Sequence, residues 1–559
     1  MTISDQGKRH GGEILPEVFF WCASCFILFW ALGHRGLWAS EGRWAEVTRE
    51  MFLNRDFFHP TINGQSYFDK PLLTYWFVAA ASFLVGGLKE LATRLPSAIF
   101  ALVSIWATRQ IAKELWSKQV GNVAGWLLLL TYGLTFWGRT AAAETENMAA
   151  IIFATLWYVK RRDNLDFWTF LVFYLICFTG AHTKGLTSVV VPAVVVFPDL
   201  IREGRWKRLF SFRHILALLI AVGLYLCPFI YADLTRGSYG ESGLALMFRE
   251  NIIRFLRPFD HKGPVYLYFY YLPLLLAPFS PLILTGAIWV LRSYKGLDQR
   301  TRWLIEATVL IFAFFTASGS RRGYYILPIL PFCALVGGVF VCHSNDKKWL
   351  KVAYRLQAML IGLFVLIYLV SPALWPLIKA KKGFIPPDSL EGVTFMLGAA
   401  AAALWALGRW RGTALSRLTM VPEKFAYLVL CAAIFLGGFY GWQQAALDTY
   451  RTGREFAKTL RCQIEGISPS NIAFYHSPSA NIIFYLRTPG PVRVLRNREQ
   501  VITFACKSTG PRVLISRRKY FPDFMPAVKG CLSNAQQFGE KIYPWMRRKG
   551  RFYVAWKLR

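Results

Sequence analysis

The segment SEGRWAEVTREM, residues 40–51, carries Glu41, Glu46 and Glu50 together with Arg43 and Arg49. It directly follows the first long apolar run, where charged groups are costly unless they face water or serve a purpose. Other mixed sets recur further on. NGQSYFDKP (63–71) holds Lys70, RTAAAETEN (139–147) holds Arg139, Glu144 and Glu146, and HTKGL (182–186) holds Lys184. RENIIRFLRPFDHKGP (249–264) adds Arg249, Arg254, Arg257 and Lys262, and SGSRRGYY (318–325) adds Arg321 and Arg322. Cations of this kind suit an anionic group, and carboxylates suit proton transfer. A plainer account exists for the opening segment. Ser40 is a helix N-cap type, Glu41 favours a helix N-terminus, and the remaining charges keep one face wet. Some of the outer cations also snorkel.

These residues must be positioned by membrane helices. The chain has 559 residues, 55% of them hydrophobic and 16% aromatic, with only 17% charged. Apolar runs such as Leu186 to Phe197 and Leu304 to Phe315 recur through the first 445 residues. Helices satisfy their own backbone groups in lipid, so the class is an α-helical polytopic membrane protein. The formal charge of +33 is read as basic cytoplasmic loops and contact with anionic membrane lipids rather than as nucleic-acid binding.

Loop charges orient the spans. With the N-terminus inside and a first span at 17–36, a second span at 71–87 would leave RQIAKELWSK outside, against the positive-inside rule. If 71–87 lies at the interface, the second span is 95–111 and every basic loop falls inside. The threading then gives about 13 spans with the C-terminus outside. The charged sets listed above all gather on the outer side. Within 40–51, Trp44, Val47 and Met51 share one helical face, which reads as an amphipathic helix lying along the interface.

Residues 1–444 form the membrane domain and 445–559 a small outer α/β domain. In the latter, NIAFYH, NIIFYL, VRVL and RVLISRR read as short strands between Gly/Pro/Ser turns, and 450–460 and 490–507 read as helical. Cys462, Cys506 and Cys531 lie there, and outside the cytoplasm two of them could pair, leaving one over. Cys22 and Cys25 sit in an apolar helix as packing residues. The eight histidines show no metal-ligand spacing. Pro16 to Leu32 reads as a span that stays rather than a cleaved signal.

The order of motifs, EGRWAEVTREM, YFDKP, RLPSAIFAL, Arg139…Glu144, TKGL, NIIRFL…HKGPVYLY and SRRGYYILPILP, resembles the bacterial polyprenyl-phosphate-sugar glycosyltransferases of the GT-C fold. These include the aminoarabinose transferase that modifies lipid A and the protein-mannosyltransferase-like enzymes. The resemblance runs through about residues 15–340 and more loosely to the end. It implies transfer of a sugar, with inversion, from a polyprenyl-phosphate donor to lipid A, another glycan or a protein, on the periplasmic face of a bacterial inner membrane. It implies Lys70, Arg43 and Arg254 at the donor phosphate. It also matches Arg94 to an arginine common in the fold, and Glu144 to an acidic position five residues past an arginine. Where the family has an Asp before Glu41 this chain has Ser40, so Glu41 either takes over as catalytic carboxylate or no base is needed there. Arg139, Lys184, Arg257 and Arg321 are further candidates. The polyprenyl tail is expected in a groove lined by Phe68, Tyr75 and Trp76. No cofactor is expected, although Glu144 and Glu146 could hold a divalent cation. A transporter of lipid-linked sugar, or a non-catalytic descendant, is the competing reading. The first would want mid-membrane polar residues and an internal repeat.

Overall fold

A computed structural model describes residues 3–253, 262–344, 346–382, 387–476, 478–547 and 549–558. Arg254 and Arg257 lie outside the described residues. The chain begins with α1 (Ile3–Phe29), α2 (Glu41–Asn54), a small hairpin β1 (Thr61–Ile62) and β2 (Gln65–Ser66), and α3 (Leu73–Leu84). Then come α4 (Glu90–Leu115), α5 (Lys118–Leu129), α6 (Tyr132–Gly138), α7 (Glu144–Arg161), α8 (Phe167–Ala181) and α9 (Thr187–Arg202). They are followed by α10 (Phe212–Leu234) and α11 (Gly243–Phe248), and further long helices run from Leu267 to Gly438.

Among the described residues six helices are long and apolar enough to cross a membrane, or up to eight if each bent pair is one span. The loop-charge threading asks for more, and among its further segments α8 and the apolar part of α1 are shorter apolar helices. At 1.5 Å per residue, α8 with 15 residues spans about 22 Å, short of a hydrocarbon core of about 30 Å. Helix α3, with 12 residues, is shorter still, as expected of a segment that does not cross. Phe83 and Leu84 at its end are exposed.

The C-terminal unit is a five-stranded sheet in the order β4-β3-β5-β7-β6, with β3 (Ile472–Tyr475), β4 (Arg493–Leu495), β5 (Arg512–Arg517), β6 (Gln536–Gly539) and β7 (Tyr553–Leu558). β3 is parallel to both β4 and β5, while β7 is antiparallel to β5 and β6. Two apolar clusters cover its two faces. Three of the four expected strands appear, but NIIFYL is the helix Ala480–Leu486. A continuous apolar run cannot by its periodicity distinguish a buried strand from a buried helix. Here Ile482 to Leu486 are buried in the cluster that also holds Leu37 and Ala45. Cys506 and Cys531 form a disulfide, and Cys462 is free and exposed.

This helix packs directly on α2. A Cβ on Gly42 would lie 2.6 Å from the Asn481 backbone, so only glycine permits the approach. Asn63 exchanges two hydrogen bonds with the Val492 backbone, at 2.8 and 2.9 Å. Arg49 donates to the Thr488 carbonyl at 2.8 Å. The first loop and the sheet unit are thereby locked together.

Candidate active site

The three carboxylates of α2 are all buried, and none reaches the cavity described below. Glu41 accepts from Arg94 Nε at 2.7 Å and Nη2 at 2.8 Å, and from the N–H groups of Ala141 at 2.9 Å and Trp38 at 3.1 Å. Arg35 lies 3.3 Å away. Burial alone would favour the neutral acid, but Arg94, Arg35 and the Ala141 N–H outweigh it and hold the carboxyl below the ordinary range. Glu46 takes a two-pronged contact from Arg49, at 2.7 and 2.8 Å. Glu50 accepts from Thr61 Oγ1 and from the N–H groups of Asn63 and Gly64, which pins the hairpin. These are braces, and the picture of α2 as a helix with one wet face is corrected. Its apolar face, Trp44, Val47 and Met51, packs with Phe68 and Tyr75, and its charged side is covered by the hairpin and the sheet unit.

Arg94 is likewise not available to a phosphate. Its remaining donors reach the carbonyls of Leu32, Arg35 and Gly36 at 2.7–2.9 Å, which accounts for all five guanidinium N–H groups. Arg139 donates to the carbonyls of Ile27 and Trp30, and Arg321 to those of Thr316 and Gly263. All three tie helix ends together. Ser40 stands at the N-cap of α2 but its side chain makes no capping bond. It faces the cavity instead.

That cavity, about 970 Å3, lies between α2, the Asp69–Lys70 loop, the start of α7, the Lys184 turn, residues 249–250 and residues 318–325. It gathers Arg43, Lys70, Glu144 and Lys184, as the sequence reading expects, from segments up to 141 residues apart (43 to 184). Four further charged groups line it: Arg249 and Arg322, which the sequence places among the outer cations, and Asp69 and Glu250, which it does not single out. The motifs FDKP, REN and SRRGYY contained them, but a charge on an outer loop gives no sign of which way it points.

Arg43 donates to Tyr67 Oη at 2.7 Å and to Asp69 at 3.4 Å. Lys70 Nζ donates to the Asp69 carbonyl at 2.9 Å and meets Glu250 at 3.5 Å. Across the cavity, Lys184 donates to Glu144 and lies 5.9 and 5.1 Å from the ring centres of Tyr324 and Tyr325. Ring faces attract a cation, so the ammonium is held on one side by a carboxylate and on the other by π density. Glu146 does not join Glu144. It accepts from Ser97 and Thr145 instead. Among the described residues no three His, Cys, Asp or Glu side chains lie together as a metal would require.

The cavity has an apolar end of Leu186, Val190, Phe314 and Phe315, reaching between α9 and the helix Gln299–Ala317. Phe68 and Tyr75 do not line it. Both are closed inside the cluster under α2, and Trp76 donates its indole N–H to the Phe57 carbonyl.

The overall architecture has a counterpart among solved structures. The crystal structure of ArnT from Cupriavidus metallidurans bound to undecaprenyl phosphate superimposes with a TM-score of 0.72, at 16% identity, covering 97% of both chains. This chain has the ArnT fold. It is α-helical and GT-C-like, with a small sheet unit at its C-terminal end. The ArnT-like chain also resembles the undecaprenyl phosphate-alpha-4-amino-4-deoxy-L-arabinose arabinosyl transferase of Aeromonas hydrophila, 28% identical over 444 residues, 77% of this chain and 78% of that one. The enzyme of the same name from Pseudomonas aeruginosa PAO1 is 28% identical over 398 residues, 68% of each chain. The family model of dolichyl-phosphate-mannose-protein mannosyltransferase matches residues 69–231, a stretch that starts at the cavity and includes Lys70, Glu144 and Lys184.

Proposed function

We propose that the protein is an integral-membrane glycosyltransferase that moves a sugar from a polyprenyl-phosphate donor to an envelope acceptor. The observation that carries this is the cavity itself: cations set against carboxylates at one end and an apolar slot at the other. Its relatives are arabinosyl transferases named for an undecaprenyl phosphate-linked donor. Breaking the sugar–phosphate bond leaves positive charge at the anomeric carbon and extra negative charge on the phosphate. Lys70 and Arg43, with Arg249 on the same cavity, stabilise that leaving group by placing positive charge where negative charge develops. Lys70 exchanges its contact with Glu250 for the donor phosphate as the donor binds.

Glu144 accepts the proton of a hydroxyl acceptor, or orients an acceptor already ionised. Lys184 holds Glu144 in place, and the acceptor oxygen attacks opposite the departing phosphate. The first isoprene units run along Phe314, Phe315 and Val190. The reaction faces the periplasm. The basic loops on the other side support this orientation, and so does the disulfide of the sheet unit, since such bonds persist in oxidising compartments. The boundary near residue 444 follows from the same reading.

Mass spectrometry of envelope glycolipids, from cells with and without the gene, tests the proposal. A sugar-sized mass lost in the knockout and not restored by Lys70→Ala supports it. An unchanged glycolipid profile, with no polyprenyl phosphate released from the sugar-linked donor by purified protein, refutes it.

A further inference from the structure

The charges of the cavity also bear on which sugar it takes. Its described lining holds five cations, Arg43, Lys70, Lys184, Arg249 and Arg322, against three carboxylates, Asp69, Glu144 and Glu250. Each carboxylate is already met by a cation. Asp69 lies 3.4 Å from Arg43 and 3.6 Å from Lys70. Glu250 lies 3.5 Å from Lys70 and 3.6 Å from Arg249, and Glu144 accepts from Lys184. Two of the aromatic faces are engaged in the same way. Lys184 lies over Tyr324 and Tyr325, and Arg322 lies over Tyr324 at 5.9 Å.

Pairs can change as a donor enters, but the total charge of the lining cannot. Its described residues have a surplus of two positive charges. A polyprenyl-phosphate sugar brings a singly charged phosphodiester, and cleavage leaves a phosphate monoester with about two negative charges. The surplus therefore matches the leaving group once the bond is broken. A sugar with a free ammonium would add a positive charge that no described residue of the lining offsets, in a space where like charges repel. Ser40 sharpens the point. It faces the cavity at the N-terminus of α2 with an uncharged hydroxyl that makes no capping bond. An aspartate is equally suited to that helix position, so the one place on α2 where a short carboxylate could reach the cavity carries none.

We infer that the donor sugar is uncharged, bearing hydroxyls or an acylated nitrogen and no free amine. The inference deepens the proposed transferase reading and rests on it, because it takes this cavity as the donor site. The relatives from Aeromonas hydrophila and Pseudomonas aeruginosa are named for a 4-amino-4-deoxy sugar, and this chain parts from them at that group. The exclusion is electrostatic, so it depends on whether the amine is protonated and not on its size.

The test titrates full-length protein in detergent with undecaprenyl phosphate, with undecaprenyl phosphate-linked L-arabinose, and with the 4-amino-4-deoxy form of that donor. The hydroxyl donor is expected to bind at least about tenfold more tightly than the amino donor near neutral pH. The gap should close as pH rises and the amine loses its proton. Ser40→Asp adds a carboxylate to the cavity where there is no capping bond to lose, and should shift the ratio toward the amino donor by about tenfold. Arg322→Gln removes one cation, at the expense of a bond to Tyr324 Oη at 2.8 Å. It should shift the ratio the same way and serves as the second variant should the first fold poorly. In cells, an amine-reactive label should not mark the sugar residue that is present on wild-type envelope glycans and missing from the knockout. Equal binding of the two donors near neutral pH overturns the inference, as does a free amine on the transferred residue. A ratio unmoved in both variants overturns it too, as does a gap that stays constant with pH, which would reflect shape and not charge. The undecaprenyl phosphate titration keeps the transferase reading separate. Lys70→Ala should weaken that binding. If Lys70→Ala keeps it in full, the transferase reading fails and takes the inference with it, whatever the two donors do.

Discussion

Removing the Glu41 carboxylate should unfold this protein rather than merely slow it. The carboxylate closes two charge-assisted bonds with Arg94 at 2.7 and 2.8 Å and accepts two backbone N–H groups, of Ala141 and Trp38. Both partners of the ion pair are essentially without solvent exposure. Breaking a buried pair by deleting one side costs about 3–5 kcal/mol, and each orphaned N–H adds about 1 kcal/mol. Glu41→Ala therefore costs about 5 kcal/mol or more, a large part of a typical stability of about 5–15 kcal/mol. Glu41→Gln keeps one acceptor oxygen for these donors but turns an NH2 toward the others, and should cost less than Glu41→Ala. The assay is the thermal midpoint by tryptophan fluorescence in detergent, with monodispersity as the control. The order expected is wild type above Gln above Ala. The contribution also depends on pH with a definite sign. Because the native carboxyl is held below its ordinary value of 4.5, the brace is complete above that pH and is lost as pH falls through the lower native value. Wild type and Glu41→Gln should thus converge in acid. A Glu41→Ala protein that melts with the wild type but has lost turnover would refute the reasoning and return Glu41 to the chemistry.

Lys70→Ala and Arg43→Ala should leave the stability within about 1 kcal/mol of wild type, since both side chains are part-exposed. Each should cut turnover about 10²–10³-fold by withdrawing charge from the leaving phosphate, as donor-release kinetics will read. Glu144→Gln should lower kcat about 10²–10⁴-fold if the acceptor is a hydroxyl. A loss well below tenfold would indicate an acceptor already ionised. Gly42→Ala drives a methyl onto the Asn481 backbone, 2.6 Å away, and should cost about 1–3 kcal/mol, with faster proteolysis between the membrane domain and the sheet unit. Cys506→Ser opens a loop closed across 25 residues and should destabilise the sheet unit by about 3 kcal/mol, measurable as a lower urea midpoint reported by Trp556, one of its two tryptophans.

Some of this was readable before any fold was known. Runs of apolar residues required membrane helices, because no other open-ended structure satisfies its backbone in lipid. The apolar period of Trp44, Val47 and Met51 required a helix within 40–51, and the structure has one over Glu41–Asn54. Motif order brought Arg43, Lys70, Glu144 and Lys184 into one set, and the cavity holds all four. The parity of the basic loops argued that residues 71–87 do not cross. These are local or near-local properties, set by backbone hydrogen bonding and side-chain period, which a linear string carries in full.

Tertiary structure decided what each charge does. Glu41 and Arg94 are 53 positions apart, and nothing local shows that one neutralises the other. Arg94 looked like a phosphate ligand only until its five donors were found on Glu41 and three carbonyls. NIIFYL became a helix because α2 and the sheet bury it, although its composition suits a strand. Glu250 entered the cavity through the path of a loop. A charged side chain is stabilised by whatever opposite charge or carbonyl the fold brings within about 3 Å, and that depends on how distant segments pack. The sequence by itself therefore determined the class of molecule and a set of candidate cations and carboxylates. Only the fold separated those that brace the structure from those that face the cavity.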